Sequence, residues 1–347
     1  MHRRSRSMMG RVPCFVSACC MVVIAAENRA LGDPGIDVVA YIEQIDASIG
    51  AVHVTWDEIV VTYQPVLTEC RSHKQLWITK DGLRYSIDGE QYDRELGKKA
   101  VRLEVIDDGS ATTTFIPEFN GKQRSGAVLA PSGTGMSNIK FMAPVLLFAP
   151  LRTSFGGIDT KNIVNKSDLV AMPVGVVLSE ARPNGTTRVL HYSPEGQRWI
   201  IQRAEIFHDQ RLINQIDWTY AERQGGVPEA ACPSKWVLTK FGSGSAVQES
   251  TTAINVACEI NPELSSELLS LTLPEGTAVS DDRGEKHVFA YVGPEGRKIE
   301  LSQKETRLSY DQVKNLRQRR WGVYVGVAMV LTLTFVTSAY VWWKRRK

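Results

Sequence analysis

Histidine and cysteine are scarce in this sequence. The chain has 347 residues with 6 of each, and no two histidines form the i, i+4 pair of a zinc-protease helix. A G-x-x-x-x-G-K phosphate loop and a G-x-S-x-G nucleophile elbow are also absent. We therefore predict a protein that is not an enzyme and that holds no cofactor and no metal. A surface hydrolase whose catalytic groups come from distant strands stays open as a third alternative.

The chain also lacks a strong net charge. It has 41 Lys and Arg against 38 Asp and Glu, a formal net charge of +3. The charges are separated along the chain, because residues 1–26 and the part after residue 303 are basic while 27–303 is acidic. A nucleic-acid-binding domain would show a basic face. We therefore predict no nucleic-acid partner.

The beginning of the chain has the pattern of an export signal. An apolar stretch over 12–26 follows four arginines and is itself followed by the polar Glu27. A basic start, a short apolar region and a small-residue site are typical of a secretory signal, so we predict a signal peptide over 1–26. An alternative is lipoprotein processing, because residues 16–19 resemble a lipobox that would be acylated at Cys19.

A second apolar run lies near the other end. Residues 322–343 carry no charge and would extend about 33 Å as a helix, enough to cross roughly 30 Å of hydrocarbon. Aromatic side chains lie near both of its ends, and 344–347 is wholly basic. We predict a transmembrane helix over 322–343 and a cytoplasmic tail over 344–347. The export signal then places 27–303 outside the cytoplasm, in the periplasm or at the cell surface.

A basic segment precedes this span. Ser302 and Glu305 form a capping-box pattern, and six Lys or Arg side chains follow within 304–320. We predict a basic juxtamembrane helix over 304–321. It is interpreted either as a solvated stalk or as a contact with anionic lipid head groups.

The body between the two ends is rich in β-strand patterns. Apolar residues at spacings of three and four predict one amphipathic helix over 34–49. These residues are Ile36, Val39, Ile42, Ile45 and Ile49. After it the apolar period changes to two, with Asp-Gly turns at 81–82, 88–89 and 108–109. A second strand-rich block covers about 169–292. The fold class is thus mostly β (α+β), with antiparallel strands.

An apolar segment rich in proline and glycine separates the two strand blocks. It occupies 125–158, and prolines interrupt its apolar part at 139–151, which excludes a central strand or one long helix. Such a segment either fills the core or covers an apolar cavity. The candidate ligand-binding residues are Phe141, Val145, Leu146, Leu147, Phe148 and Leu151.

Three cysteines remain once the signal is set aside. They are Cys70, Cys232 and Cys258. Export permits disulfides, and Cys232 and Cys258 lie in neighbouring segments that could pair. The sequence does not choose among the three pairings, and buried free thiols are an equal alternative.

The order of these elements resembles a known family. Behind the exported helix come strand, turn and strand pieces at 76–85, 190–196, 213–218, 260–264 and 271–277. This order resembles the lipoprotein-carrier superfamily of LolA and LolB type over about residues 36–280. The resemblance implies a half-open antiparallel β-barrel that wraps around helices and holds acyl chains in an apolar hollow. The insertion and the C-terminal span depart from the family pattern, so this chain would bind and present a lipid rather than ferry it.

Two functions follow as hypotheses. The first is a membrane-anchored extracytoplasmic protein that binds a lipid or acyl ligand in the hollow. The alternative is a sensory or protein-interaction ectodomain whose partner is another membrane protein. In both hypotheses the lipid bilayer is a partner through the residue 322–343 span.

Overall fold

The structure is a computed structural model. It describes residues 34–63, 67–93, 97–117, 126–132, 139–155, 157–168, 175–182, 185–195, 198–221 and 232–345. The signal peptide expected over 1–26 and the lipobox ending at Cys19 lie outside the described residues.

The described residues form three α-helices and sixteen strands. The helices are α1 (Pro34–Ser48), α2 (Ile139–Phe148) and α3 (Tyr310–Arg345). The strands of the first half are β1 (Ala51–Thr62), β2 (Thr68–Thr79), β3 (Leu83–Asp93), β4 (Gly97–Asp107), β5 (Ala111–Ile116) and β6 (Gly126–Pro131). Those of the second half are β7 (Ile163–Asp168), β8 (Val176–Ala181), β9 (Thr186–Glu195), β10 (Arg198–His208), β11 (Arg211–Thr219), β12 (Lys235–Phe241) and β13 (Val247–Ile260). A small C-terminal group contains β14 (Ala278–Asp281), β15 (Val288–Val292) and β16 (Lys298–Glu300).

All sixteen described strands belong to one sheet. Their order is β16-β15-β14-β6-β5-β4-β3-β2-β1-β13-β12-β11-β10-β9-β8-β7. Every neighbouring pair is antiparallel except β6 and β14, which run parallel. The sheet closes the gap between the two sequence blocks where β1 pairs with β13. Because β7 and β16 end the order without pairing to each other, the sheet is open, and the predicted half-open, mostly β architecture is confirmed.

Helix α1 lies on the concave face of this sheet. It buries Val38, Ile42, Ile45 and Ile49, a stripe at helical spacing, and it contacts β7, β8 and β10. The predicted amphipathic helix is confirmed, although Val38 rather than Val39 is its most buried valine. Asn261 fixes the end of the helix, because its side chain accepts from Gly50 N at 2.7 Å and donates to the Ser48 carbonyl at 3.3 Å.

The apolar insertion contributes both a strand and a helix. Strand β6 adds to the sheet beside β5, and α2 then includes Pro144 within its ten residues. The prolines were expected to exclude a central strand and one long helix in 139–151. No strand forms there, and α2 is short because it ends before Pro150. Its side chains join those of α1 and of strands β1–β4 and β8–β13 in one core cluster. The sheet therefore curves around two helices.

A second, smaller core lies under the C-terminal strands. It contains Phe115, Ala127, Leu129, Val279, Ala290 and Val292, from β5, β6, β14 and β15. The parallel pairing of β6 with β14 brings these side chains together. The sequence did not predict this second core.

Helix α3 is the continuous C-terminal helix. It begins at Tyr310, not at residue 302 or 304, because Ser309 N donates to Gln312 Oε1 at 2.9 Å and this pair caps the helix. The predicted Ser302–Glu305 hydrogen bond does form, at 2.9 Å, but in a turn before the helix. In the described part of the chain, one helix is long and apolar enough to cross a membrane, over Tyr310–Ala339.

Candidate functional site

Helix α2 covers part of the concave face with apolar side chains. Val145, Leu146 and Phe148 are buried, and Leu147 and Leu151 are half-buried against the same core. The side chain of Phe141 lies outside the described residues. The structure thus brings five of the six predicted residues to one helix and the turn after it. That these residues contact a ligand stays a prediction.

A narrow cleft opens between the two helices and strands β9–β11. Its walls are Tyr41, Ile42 and Ile45 of α1, Leu146, Leu147 and Pro150 of the α2 region, and Tyr192, Trp199, Ile200, Ile201 and Tyr220 of the sheet. The enclosed volume is about 30 Å³. That volume holds a water molecule or two. It is far below the roughly 300–1,000 Å³ of a small-molecule pocket. In this structure the helices fill most of the hollow.

Tyrosine hydroxyls give the cleft a polar character. Tyr220 Oη donates to the Ile201 carbonyl at 2.7 Å. Tyr192 is 3 % exposed, and its Oη has no hydrogen-bond partner among the described residues. Burial raises the pKa of Tyr192 well above its usual value. This phenol therefore stays protonated and can donate a hydrogen bond at any physiological pH.

Polar contacts hold the segment that follows α2. Asp46 of α1 accepts from Leu151 N at 3.2 Å. Farther on, Arg188 donates to Glu180 at 2.7 Å and to the Gly157 carbonyl at 2.7 Å. Glu180 in turn accepts from Asp159 N at 2.9 Å. These bonds fasten the C-terminal side of α2 to α1, β8 and β9.

A second ion pair is buried farther along the concave face. Lys74 and Glu58 are 2 % and 5 % exposed and contact each other directly. The Lys74 ammonium also lies 6.0 Å from the centre of the Tyr85 ring. The Trp56 ring packs against that of Trp236, with centroids 5.2 Å apart. The face is therefore mostly apolar and aromatic, and this buried lysine and glutamate form a matched pair of charges on it.

The three described cysteines form one disulfide and one free thiol. Cys232, before β12, and Cys258, in β13, form a disulfide. Cys70 is a buried free thiol in β2, and burial raises its pKa. In the described residues, no group of three or more His, Cys, Asp or Glu side chains is placed to hold a metal ion.

Sequence reasoning missed most of the cleft. Tyr41, Tyr192, Trp199 and Tyr220 line it, and none was a candidate residue. Tyr192 follows Leu190 by two residues in β9, so both side chains lie on the same face of the strand. This spacing was a signal in the sequence that could have indicated that Tyr192 faces the core. The pairing of β9 with β10 and the position of α1 above them are long-range features with no local pattern.

Similarity to known proteins is found among solved structures. No family model matches the chain, and no curated protein matches it. Among solved structures, the chain is similar to a domain assigned to outer-membrane lipoprotein sorting from Vibrio parahaemolyticus. The two are 12 % identical with a TM-score of 0.44, over 69 % of this chain and 97 % of that one. It is also similar to a LolA superfamily protein from Nitrosomonas europaea, at 9 % identity and a TM-score of 0.39, over 67 % and 97 % of the two chains. The likeness concerns the fold alone.

Proposed function

We propose that this protein binds the acyl chains of an amphiphile on the concave face of its sheet, beneath α2, and presents that ligand at a membrane. The observation that carries the proposal is the cleft beside α2, whose walls are almost wholly aliphatic and aromatic. Acyl chains bind such walls by losing contact with water, at about 25 cal/mol per Å² of apolar surface. The proposal assigns no catalytic residue.

Binding requires α2 to move. The cleft of about 30 Å³ is too small for an acyl chain, so the ligand enters only where Val145, Leu146 and Phe148 leave the core. The ligand then replaces one apolar surface with another. The helix uncovered in this exchange must find cover against the ligand or the bilayer. The net free energy of binding is therefore small compared with the area buried, which suits a protein that must release its ligand again.

The position of α2 favours such a movement. Its sequence contains Pro144, which removes one backbone hydrogen bond within the helix. The polar contacts described above lie on its C-terminal side, from Leu151 onward. Among the described residues, apolar packing holds the helix itself and hydrogen bonds hold the segment after it, so its N-terminal side is the part that we expect to lift.

We further propose that α3 anchors the protein in a membrane. Residues 322–343 would span the bilayer, with 27–303 outside the cytoplasm and 344–347 inside. The side chains over 322–339 are exposed, as expected for a helix surrounded by lipid. The twelve residues 310–321 before the span extend about 18 Å. This length would keep the β-domain near the outer leaflet.

The test is native mass spectrometry of the full chain, expressed in a lipid-containing host and released from detergent micelles. We expect a co-purified lipid that survives mild activation. Leu147→Trp places a larger side chain in the cleft, where overpacking costs about 1–3 kcal/mol. It should lower lipid occupancy about tenfold. The matched control is Leu264→Trp, at an exposed site outside the cleft. Equal occupancy in the two variants would count against the concave site.

A second candidate function, binding of another membrane protein, has one observation in its favour. Val128 and Phe289 are exposed and both lie opposite Ser280 in the register of β6, β14 and β15. They therefore form a small apolar patch on the outer face of the C-terminal strands. A photoreactive amino acid at position 289 in native membranes tests this function. A single stoichiometric cross-linked protein would support it, and labelling of lipid alone would oppose it.

A further inference from the structure

A row of aromatic side chains crosses the concave face. Tyr192 lies opposite Ile201, Trp218 opposite Trp236, and Trp236 opposite Ala253. Directly opposed residues point to the same side of a sheet, and Tyr192, Ile201, Trp218, Trp236 and Trp56 belong to one core cluster, so they share the concave face. We call it the aromatic row: Tyr192, Trp218, Trp236 and Trp56.

The row ends at the buried ion pair. Ala253 of β13 lies opposite Glu58 of β1, and Glu58 contacts Lys74. Trp56 lies opposite Lys74 and packs its ring against that of Trp236. One side of the row is thus the cleft and the other side is a closed pair of opposite charges.

Three members of the aromatic row carry buried donors without partners. The Nε1 atoms of Trp56 and Trp218 and the Oη of Tyr192 have no hydrogen-bond partner among the described residues. The three side chains are 1 %, 6 % and 3 % exposed. Buried polar groups in native proteins are nearly always satisfied. Three such donors on one face, from β1, β9 and β11, indicate a face that is built to receive hydrogen-bond acceptors.

The chemistry of these donors limits what can satisfy them. An indole N–H donates and cannot accept, and the Tyr192 hydroxyl stays protonated when buried. The partner must therefore be a hydrogen-bond acceptor. A free carboxylate fits poorly, because its buried charge would find only neutral donors in the row, and the nearby Lys74 is already paired with Glu58. A neutral carbonyl fits both conditions.

We infer that the aromatic row recognises the ester or amide carbonyls of an acylated ligand, through Trp56 Nε1 and Trp218 Nε1 in the hollow and Tyr192 Oη at the cleft. This inference rests on the proposed function and names its ligand class. It distinguishes acyl esters and amides from ethers, alkanes and free fatty acids. Burial of chains provides affinity, and the three donors provide selectivity for the carbonyl.

The test compares two lipids that differ only in the carbonyl. The full chain in detergent is mixed with equal amounts of monoolein, an ester, and its ether analogue, oleyl glyceryl ether. Native mass spectrometry counts each bound form. We expect the ester to be bound in about fivefold to tenfold excess, the effect of one hydrogen bond to a donor that is otherwise unsatisfied.

Conservative variants assign the preference to the donors. Trp56→Phe and Trp218→Phe keep the ring and remove the N–H, so they should bring the ester-to-ether ratio toward one while the ether still binds. Trp77→Phe is the matched control, because the Trp77 ring stacks on His53, outside the aromatic row. Its ratio should equal that of the unaltered protein.

The outcomes separate the two proposals. Equal binding of ester and ether by the unaltered chain overturns carbonyl recognition and leaves acyl binding intact. A preference that persists in Trp56→Phe and Trp218→Phe also overturns the assignment to these residues. Binding of neither lipid overturns the proposed function and the inference with it.

Discussion

Two ion pairs are buried on the concave face. Arg188 with Glu180 and Lys74 with Glu58 are each at most 5 % exposed. Burial lowers the pKa of Arg188, and the neighbouring Glu180 opposes that effect. A buried ion pair contributes little net stability compared with an apolar pair, but loss of one partner leaves a buried charge. The Arg188 pair also holds the segment after α2, through the Gly157 carbonyl.

Arg188→Ala should therefore be strongly destabilising. We expect a loss of about 3–5 kcal/mol in the free energy of unfolding, because Glu180 stays buried without its cation. Urea unfolding of the full chain in detergent, followed by tryptophan fluorescence, measures this value.

Two further variants control that experiment. Arg203→Ala breaks a pair with Asp217 in which the arginine is 46 % exposed, and should cost about 1 kcal/mol or less. Arg188→Met combined with Glu180→Leu removes both charges and should recover most of the lost stability. A similar small loss for Arg188→Ala and Arg203→Ala would contradict a structural role for the buried pair.

The sequence predicted the apolar members of this face better than the polar ones. Val52, Val54 and Trp56 alternate in β1, and Glu58 continues the same phase. A charged residue at a position that the alternation would bury suggests that the buried part of the strand has ended, unless its ion-pair partner is known. The partner, Lys74, is 16 residues away and is brought close only by the β1–β2 register. Such pairs depend on register and cannot be found from local patterns.

At the scale of single elements, turn chemistry was informative in two of three Asp-Gly pairs. Gly82 and Gly109 lie in the connections that precede β3 and β5, and Gly109 has a φ of +81°. Asp88-Gly89 is not a turn, because β3 continues through it to Asp93. Gly89 is needed there for space, since a Cβ would lie 2.4 Å from Ser72 Cα on β2. Asp-Gly pairs thus meet two different geometric requirements: a turn at 81–82 and 108–109, and close approach of a neighbouring strand at 88–89.

The disulfide constrains the segment that precedes β12. Cys232 and Cys258 are 26 residues apart and join the segment before β12 to β13. A closed loop of that size stabilises the folded state by about 3–4 kcal/mol in the chain-entropy estimate. The double variant Cys232→Ser with Cys258→Ser should lose that amount in urea unfolding. Cys70→Ser, at the buried free thiol, controls for loss of a thiol. Equal stability of the double variant and the parent would show that the bond does not form.

The junction between α3 and the β-domain should depend on pH. Glu305 accepts from Ser302 N and from Arg317, whose Nη2 lies 3.1 Å away, and these contacts lower its pKa to about 2. A carboxylate with a lowered pKa stabilises the folded state above its ordinary value near 4.5, and the effect is lost as the pH falls toward 2.

Hydrogen exchange of residues 302–317 tests this junction. At pH 6, Glu305→Gln should exchange about tenfold faster than the parent, the effect of one charge-assisted hydrogen bond. The difference should shrink from pH 4.5 downward and vanish near pH 2. Glu295→Gln is the control, because Glu295 and its partner Arg297 are both at least 80 % exposed. A difference that stays constant with pH would contradict the assignment to the Glu305 charge.

At the scale of the whole molecule, the β-domain and the apolar helix form a connected unit. Lys314 and Tyr310 of α3 contact Glu275, and Val313 is buried against the domain. The junction therefore orients the domain relative to α3. The separation of charge along the sequence predicts an acidic body and a basic segment before the apolar span. It could not give the sheet order, because the β1–β13 and β6–β14 pairings join residues that are far apart in sequence.

The proposed anchoring of α3 in a membrane has a direct consequence for extraction. The full chain should stay in the membrane pellet after alkaline carbonate treatment, and a chain ending at residue 309 should be released. The shorter chain retains both cores but loses the contacts of Tyr310 and Lys314 with Glu275, so its fold is checked by circular dichroism. Retention of the shorter chain in the pellet would show that another part of the protein holds it there.

Site-resolved photolabelling tests acyl binding on the concave face most directly. The full chain in lipid nanodiscs is incubated with a diacyl phospholipid that carries a diazirine in one chain, irradiated, and digested for mass spectrometry. The account predicts labels on α2 and on the inner residues of β9–β11, such as Leu147, Tyr192 and Trp199, and a loss of those labels in Leu147→Trp but not in Leu264→Trp. Labels confined to α3, with none on the concave face, would contradict it.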